Sequence, residues 1–244
     1  MGLIKIIRFA LLPFFVQFTV IQYALAQDTT KLYQVYRITD SIEVNGKGDA
    51  ALWEKAALLT DFKLPWSNYI TTPTSFRALW NDESLYFLYN VIDHDIVAPG
   101  PIDNERSVMN SDRVEIFFMV KGGLDPYYCL EMDPSGRILD YEARTYRKFD
   151  LYWEWPNTDL TIRTSMQENG YTVEGEIKLA SLRLMGILDE DDTMMAGLYR
   201  GDYYQGNNQK TAVRWITWID PKIEKPDFHV PSTFGTFKLL RETR

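Results

Sequence analysis

The fold of this chain is decided by the stretch SLYFLYNVI, residues 84–92, which is apolar at almost every position. A strand that is apolar on both faces is typical of a sheet that is covered on each side. The stretch VEIFFMV, residues 114–120, has the same character, whereas TVEGEIK, residues 172–178, alternates and predicts one face in water. Strands of these two kinds in one chain favour two sheets packed face to face.

Turn residues separate the other short apolar runs, and together these runs predict eleven strands between residues 34 and 240. Asn169-Gly170 predicts a type I′ hairpin turn, because that turn needs positive φ at both central residues. Two short helices are expected, at residues 49–57 after an Asp cap and at residues 179–185. The predicted fold class is therefore all-β, a β-sandwich of two antiparallel sheets with one or two short helices.

The N-terminal segment, residues 1–26, has the pattern of a secretory signal peptide. Lys5 and Arg8 precede an apolar run that ends in Ala24-Leu25-Ala26, a small-residue pattern typical of a cleavage site. A membrane anchor is the alternative, because the run approaches the ~20 apolar residues that span a bilayer, but a proline and two glutamines interrupt it. We predict export to a periplasmic or extracellular location, no stable membrane insertion after cleavage, and a single domain over residues 27–244.

Composition limits the partners of the mature chain. Removal of residues 1–26 leaves 24 basic and 34 acidic residues, a net charge of about −10. Nucleic acid needs a basic surface to meet its phosphates, so a nucleic-acid partner is not expected. Cys129 is the only cysteine, so no intramolecular disulfide can form, and we expect a buried thiol in a packed core.

Six blocks of sequence follow one another in the order and at the spacing of a known family. They are VNGKGDAALWEKA, SFRALWNDESLYFLYNVID, SDRVEIFF, YYCLEMDPSG, NGYTVEGEIKLASL and FHVPSTFGTFKL. Together they resemble the family 9 carbohydrate-binding modules, over about residues 33–240. The resemblance implies a β-sandwich of two antiparallel sheets that binds a saccharide or polysaccharide chain without catalysis, in support of carbohydrate catabolism. Members are often attached to xylanases and other polysaccharide-degrading enzymes.

The resemblance also implies a binding site. In the sugar-binding members two aromatic rings form a slot for a chain end, because pyranose C–H groups pack on π surfaces. One slot position falls at Met109, which offers apolar contact but no ring, and the other at Phe228, beside His229. The strand that helps to hold sugar hydroxyls aligns with residues 127–133, which include Glu131. The implied site therefore contains Phe228, His229, Glu131 and Met109.

The tryptophans divide into two groups. Trp155 lies in the loop LYWEWPN, where an exposed aromatic cluster indicates a ligand surface, so we include it in the predicted site. Trp80, Trp215 and Trp218 lie within predicted strands, where tryptophan is more often a packing residue. We therefore leave these three out of the site.

Two other functions stay open on the residues alone. A glycoside hydrolase needs two carboxylates roughly 5 to 9.5 Å apart. Glu131 with Asp133, or Glu174 with Glu176, share a strand face by alternation, although such spacing is ordinary on a solvated face. The second alternative is an interaction module that kept the sandwich and lost sugar binding, which the missing ring at Met109 favours.

Calcium is the one metal ion for which the sequence offers candidate ligands. Asp93, His94 and Asp95 follow a buried strand, and loops rich in oxygen can hold Ca²⁺, as in some members of the resembled family. One short cluster does not specify six or more oxygen ligands. We expect no required cofactor, and Asp93 and Asp95 are the candidate ligands of a structural calcium ion.

Overall fold

The computed structural model describes residues 31–206 and 210–243. The predicted signal peptide, residues 1–26, lies outside the described residues. In the described part of the chain we number the strands in chain order: β1 (Leu32–Arg37), β2 (Thr74–Trp80), β3 (Ser84–Ile92), β4 (Arg113–Val120), β5 (Gly123–Met132), β6 (Ile138–Arg144), β7 (Lys148–Asp150), β8 (Leu160–Gln167), β9 (Gly170–Lys178), β10 (Thr193–Gln205), β11 (Thr211–Thr217) and β12 (Gly235–Thr243).

Every predicted strand is present, with ends that differ by a few residues from the predicted ones. The stretch at residues 84–92 is β3, which pairs with β2 on one side and with β9 on the other, and most of its side chains are buried. The prediction of a covered inner strand is confirmed. Sequence patterns missed β7, because its three residues are all exposed and carry no apolar alternation.

Helical structure is short, as predicted. The helix α1 (Leu179–Leu184) follows β9, and Ala51–Lys55 forms a 3-10 helix rather than an α-helix. Asp49 does not cap that helix, because its carboxylate accepts a hydrogen bond from the Asn45 side chain instead. Two more 3-10 segments are present, at Glu105–Asn110 and Pro231–Thr233. Within the described ranges no helix is long and apolar enough to span a membrane.

The strands form one continuous curled sheet. Their order is β7-β6-β5-β4-β10-β12-β1-β2-β3-β9-β8, and β11 also pairs with β10. β1 joins the two halves of the sheet by parallel pairing with β12 and with β2, whereas the other pairs are antiparallel. The prediction of a mostly β fold is confirmed. The prediction of two separate antiparallel sheets is not, because β1 hydrogen-bonds to a strand of each half.

Side-chain alternation gives β4 two different faces. Val114 and Ile116 belong to the main hydrophobic core, which also takes side chains from β1, β2, β3 and β9. Phe117 faces the opposite side, where it packs with Tyr199 of β10 in a second cluster. Cys129 lies buried in that second cluster, as predicted, and burial raises the pKa of its thiol. The second face carries the candidate site.

The β8–β9 hairpin is present, but its two turn residues are Glu168 and Asn169 rather than Asn169 and Gly170. Gly170 begins β9 with φ of +147°. A Cβ at Gly170 would lie 1.9 Å from the carbonyl oxygen of Val91. The glycine is therefore needed for the close approach of β9 to β3 and not for a type I′ turn.

Candidate functional site

A cavity of about 320 Å³ opens on the second face of the sheet, over β4, β5, β6, β10 and β11. Such a volume lies at the lower end of the range for small-molecule sites. The loop at residues 226–229 borders the cavity, and Met109 of the Glu105–Asn110 segment lies beside it. Its lining combines a buried charged floor with aromatic walls.

Four of the five predicted binding residues line this cavity together, although they are distant in sequence: Met109, Glu131, Phe228 and His229. The fifth, Trp155, is not in the cavity lining. Its side chain is 2% exposed and packs in the main core, 6.0 Å from the ring of Phe118. The exposed aromatic surface predicted at Trp155 is therefore wrong, because core packing covers this loop tryptophan.

The floor of the cavity consists of Arg113, Glu115 and Glu131. The two glutamates face each other across the β4–β5 pair. Arg113 Nε donates to Glu115 Oε1 at 2.7 Å and lies 2.8 Å from Glu131 Oε2. All three side chains are buried, so one guanidinium forms ion pairs with two carboxylates in a site that is shielded from bulk water.

This arrangement shifts the pKa values of the floor residues. Burial raises the pKa of Glu115 to about 8, repulsion from Glu131 adds to the increase, and Arg113 opposes it. Burial also disfavours the charged form of Arg113, but the two carboxylates more than offset that effect and raise its pKa. The glutamate pair therefore holds a proton below about pH 8.

Glu131 keeps one oxygen without a hydrogen bond. Its Oε1 accepts from the Tyr141 hydroxyl at 2.8 Å. Its Oε2 is within ion-pair distance of Arg113 Nε, but that N–H is directed at Glu115, and Oε2 receives no hydrogen bond from any described residue. The Arg113 ion pair, and not a hydrogen bond, therefore compensates this buried oxygen next to the cavity.

Trp215, which we assigned to packing, forms a wall of the cavity with Tyr203. The Arg113 guanidinium lies 5.3 Å from the Trp215 ring centroid and 5.7 Å from that of Tyr203. Gly201 of β10 pairs with Arg113 and with Trp215, and a Cβ there would meet the Trp215 ring at 3.3 Å. Trp215 does pack against the second cluster, as predicted for a strand tryptophan, but it also lines the cavity, so leaving it out of the site missed a lining residue.

The loop before β12 holds Phe228 and His229 against the sheet. Phe228 is 6% exposed and stacks on Tyr199 with ring centroids 4.2 Å apart, so it closes the cavity rather than standing free as one side of a slot. His229 stacks on Phe117, and its Nδ1 shares a hydrogen bond with the Tyr127 hydroxyl at 3.0 Å. Burial lowers the pKa of His229 to about 4, so the ring is neutral near pH 7.

The rim of the cavity is more exposed than its floor. Met109 is 40% exposed, and its backbone carbonyl accepts hydrogen bonds from the Tyr203 hydroxyl at 2.6 Å and from Arg113 at 3.4 Å. These bonds tie the Met109 segment to the floor. On the rim, Arg147 and Asp227 form an ion pair at 3.1 Å.

The carboxylate pairs that we considered for a hydrolase do not meet at a cavity. Asp133 is fully buried and pairs with a neighbouring arginine. Glu174 accepts hydrogen bonds from an indole and from two backbone N–H groups, and Glu176 pairs with a lysine on its own strand. The carboxylate that faces Glu131 in the cavity is Glu115, which the sequence reasoning missed.

A second group of buried carboxylates consists of Asp93, Asp112 and Asp202, whose oxygens lie within 4.8 Å of one another. Asp95, the other predicted calcium ligand, is not a member, and its backbone N–H donates to Asp93. Calcium prefers oxygen ligands, and the structure groups the Asp93 carboxylate with those of Asp112 and Asp202 rather than with that of Asp95. Arg200 lies 3.0 Å from Asp93 and 3.4 Å from Asp202, so it already compensates two of the three carboxylates.

Asp112 makes the stability of the protein depend on pH. It accepts hydrogen bonds from two backbone N–H groups, and burial raises its pKa to about 7. The folded state therefore binds this proton more tightly than the unfolded chain, so the contribution of Asp112 to stability is greatest at low pH and is lost as the pH rises towards 7. We expect this contribution to the free energy of unfolding to fall by roughly 1 kcal/mol per pH unit between about pH 5 and pH 7.

Urea unfolding of the wild type and of Asp112→Asn at several pH values measures this slope. The slope of the variant should be less negative than that of the wild type by roughly 1 kcal/mol per pH unit, because only the Asp112 contribution is removed and the other shifted groups, Glu115 and His229 among them, remain. Asp103→Asn, at an exposed position, is the matched control and should keep the wild-type slope. An unchanged slope in Asp112→Asn would contradict the assignment.

The family described as "Carbohydrate family 9 binding domain-like" matches residues 44–242. The chain belongs to this family. The matched range includes every cavity residue named above, and the resemblance that the six sequence blocks indicated is confirmed.

Solved structures similar to this family 9-like chain include a candidate carbohydrate-binding protein from Bacteroides uniformis. The TM-score is 0.66 at 18% identity, over 86% of this chain and 99% of that chain. A family 9 module from Caldicellulosiruptor kristjanssonii in complex with glucose has a TM-score of 0.55 at 18% identity, over 88% and 97%. The same organism's module with cellotriose has a TM-score of 0.57 at 18% identity, over 88% and 95%. No curated protein sequence matches the chain.

Proposed function

We propose that this chain is a non-catalytic domain that binds a saccharide in the cavity over β4, β5 and β10. The observation that carries the proposal is a cavity in which a polar floor of Arg113, Glu115 and Glu131 meets the aromatic wall of Trp215 and Tyr203. Sugars present hydroxyl donors and C–H faces together, so a hydrogen-bonding floor next to π surfaces suits them. Membership of the family supports the proposal, and the similar modules with bound glucose and cellotriose support it further.

The carboxylate geometry favours binding over hydrolysis. Glu115 and Glu131 both lie at the same guanidinium nitrogen, so they approach a ligand from one side. A glycosidase needs its two carboxyl groups to flank the scissile bond. An interaction module without a sugar site is also less favoured, because the predicted binding region encloses a cavity instead of being filled by side chains.

We also infer that the two halves of the curled sheet act as the facing layers of a sandwich. The main core supports this inference, because it joins Val35 and Phe87 of one half with Ile116 and Leu130 of the other. We propose further that residues 1–26 direct export to the periplasm or the medium. N-terminal sequencing of the protein recovered from those fractions tests the cleavage after residue 26.

Replacing Trp215 by alanine is expected to weaken saccharide binding by about tenfold or more, because the cavity loses an aromatic wall. Isothermal titration calorimetry with glucose and cellotriose measures Kd for the purified wild type and the variant. Trp153→Ala, a half-buried tryptophan outside the cavity lining, is the matched control and should bind like the wild type. If the folded wild type binds neither sugar and is blank on an oligosaccharide array, the proposed function is wrong.

A further inference from the structure

The cavity lining carries an unequal number of positive and negative side chains. At the rim Arg147 and Asp227 compensate each other at 3.1 Å. On the floor Arg113 alone faces Glu115 at 2.7 Å and Glu131 at 2.8 Å. With both carboxylates ionised, the floor would therefore carry one negative charge more than its guanidinium compensates.

The elements packed around the floor do not supply the missing positive charge. Apart from the two arginines, His229 is the only basic side chain among the described residues of the lining, and burial lowers its pKa to about 4. Tyr141 of β6 and Tyr203 of β10 contribute hydroxyls. In the empty cavity a proton compensates the excess, in agreement with the raised pKa of Glu115, about 8. A ligand that brings its own positive charge can replace that proton.

The Glu131 carboxylate and the aromatic wall indicate where such a charge would lie. Glu131 lines the cavity, and its Oε2, buried 2.8 Å from Arg113 Nε, receives no hydrogen bond from a described residue. An ammonium group that donates to a carboxylate makes a stronger bond than a neutral hydroxyl does. Trp215 and Tyr203 already face the Arg113 guanidinium, and their rings favour positive charge in this part of the cavity.

We propose that the cavity selects a protonated 2-amino-2-deoxy pyranose, such as a glucosamine unit, over a neutral sugar of the same shape, and that it excludes uronic acids. The ammonium group pairs with the Glu131 carboxylate while the sugar ring packs on the wall that contains Trp215. A uronate cannot replace the proton that compensates this floor, and it would bring a further negative charge beside the two carboxylates, which disfavours binding. This inference rests on the proposed saccharide binding and adds the class of sugar.

Calorimetric titration of the purified protein with four monosaccharides at mildly acidic pH tests the proposal. Glucosamine carries the charge, N-acetylglucosamine keeps the nitrogen without the charge, glucose replaces it by a hydroxyl, and glucuronic acid reverses the sign. We expect glucosamine to bind about tenfold or more tightly than glucose and N-acetylglucosamine, because a desolvated charge pair carries a large coupling energy. Glucuronic acid should not bind measurably.

Substitutions on the floor test whether charge, and not the shape of the cavity, causes the preference for glucosamine. Glu115→Gln removes the carboxylate that an ammonium group would compensate, so the ratio of the affinities for glucosamine and for glucose should fall to about one, whatever the absolute affinity for glucose. Glu131→Gln removes the same charge from β5 and serves as a second test if the first variant does not fold, which circular dichroism detects. Glu43→Gln, at an exposed position away from the cavity, should keep the wild-type preference.

The outcomes distinguish this inference from the function on which it rests. If the wild type binds glucose at least as tightly as glucosamine, the charge selection is wrong and saccharide binding stands. A preference for glucosamine that survives in both Glu115→Gln and Glu131→Gln also overturns it, since the charge would then not be the cause. If none of the sugars binds, the proposed function fails together with the inference.

Discussion

Replacing Arg200 by methionine is expected to lower the free energy of unfolding by about 3–5 kcal/mol, the cost of removing one partner of a buried ion pair. The Arg200 side chain is fully buried, and its guanidinium lies 3.0 Å from Asp93 and 3.4 Å from Asp202. It also donates to the hydroxyls of Thr72 and Thr74 at 3.1 and 3.2 Å. Methionine has no donor, so these carboxylates and hydroxyls lose their shared partner in a dry environment.

Urea unfolding of the purified protein measures this loss. The double variant Arg200→Met with Asp93→Asn should recover part of the stability, because it removes one of the unpaired charges. Arg37→Met is the matched control, since Arg37 pairs with the exposed Asp82 and such surface pairs contribute little. An effect of Arg200→Met no larger than that of Arg37→Met would contradict the prediction.

Replacing Arg113 by methionine is expected to weaken saccharide binding by about thirtyfold or more and to destabilise the fold as well, because truncation leaves buried charges unpaired. Without the guanidinium, no positive charge remains beside Glu115 and Glu131, which face each other across β4 and β5, so the pKa of Glu115, which Arg113 holds down, rises further. The Met109 segment also loses its hydrogen bond to the floor. The substitution should therefore alter both the hydrogen-bonding floor of the cavity and the Met109 segment at its rim.

The variant Arg113→Met combined with Glu115→Gln and Glu131→Gln tests this explanation. It removes all three charges from the floor, so it should recover much of the stability of the single variant but none of the binding. Thermal melting reports the stability, and calorimetric titration with cellotriose reports the binding. Wild-type affinity in folded Arg113→Met would show that the charged floor does not contact the ligand.

Strands could be predicted from the sequence because alternation is a local property of the chain. The segment at residues 84–92 has the predicted bounds of β3, and both of its neighbours are antiparallel strands. The role of β1 could not be predicted in this way. Its residues pair in parallel with β12, about two hundred positions later in the chain, and the local pattern carries no signal for that partner. The single curled sheet follows from this pairing.

The site was predicted only in part. Met109, Glu131, Phe228 and His229 do meet in one cavity, since the family resemblance carried their positions. Arg113 and Glu115 were missed, although a signal existed: two charged residues alternate with apolar ones at the start of a strand that is otherwise buried. Charged residues at inward positions of such a strand indicate a functional floor more directly than a loop tryptophan does.

The sequence by itself determined the strand content, the buried faces, the acidic balance and the family, because each depends on residue types and their local order. Only the tertiary structure decided that Trp215 faces the cavity and that Trp155 belongs to the core. Only the tertiary structure brought Arg113, Glu115 and Glu131 together with the loop that contains Phe228. These contacts depend on the register of neighbouring strands and on a loop about a hundred residues away in the chain, and neither leaves a pattern in any single segment.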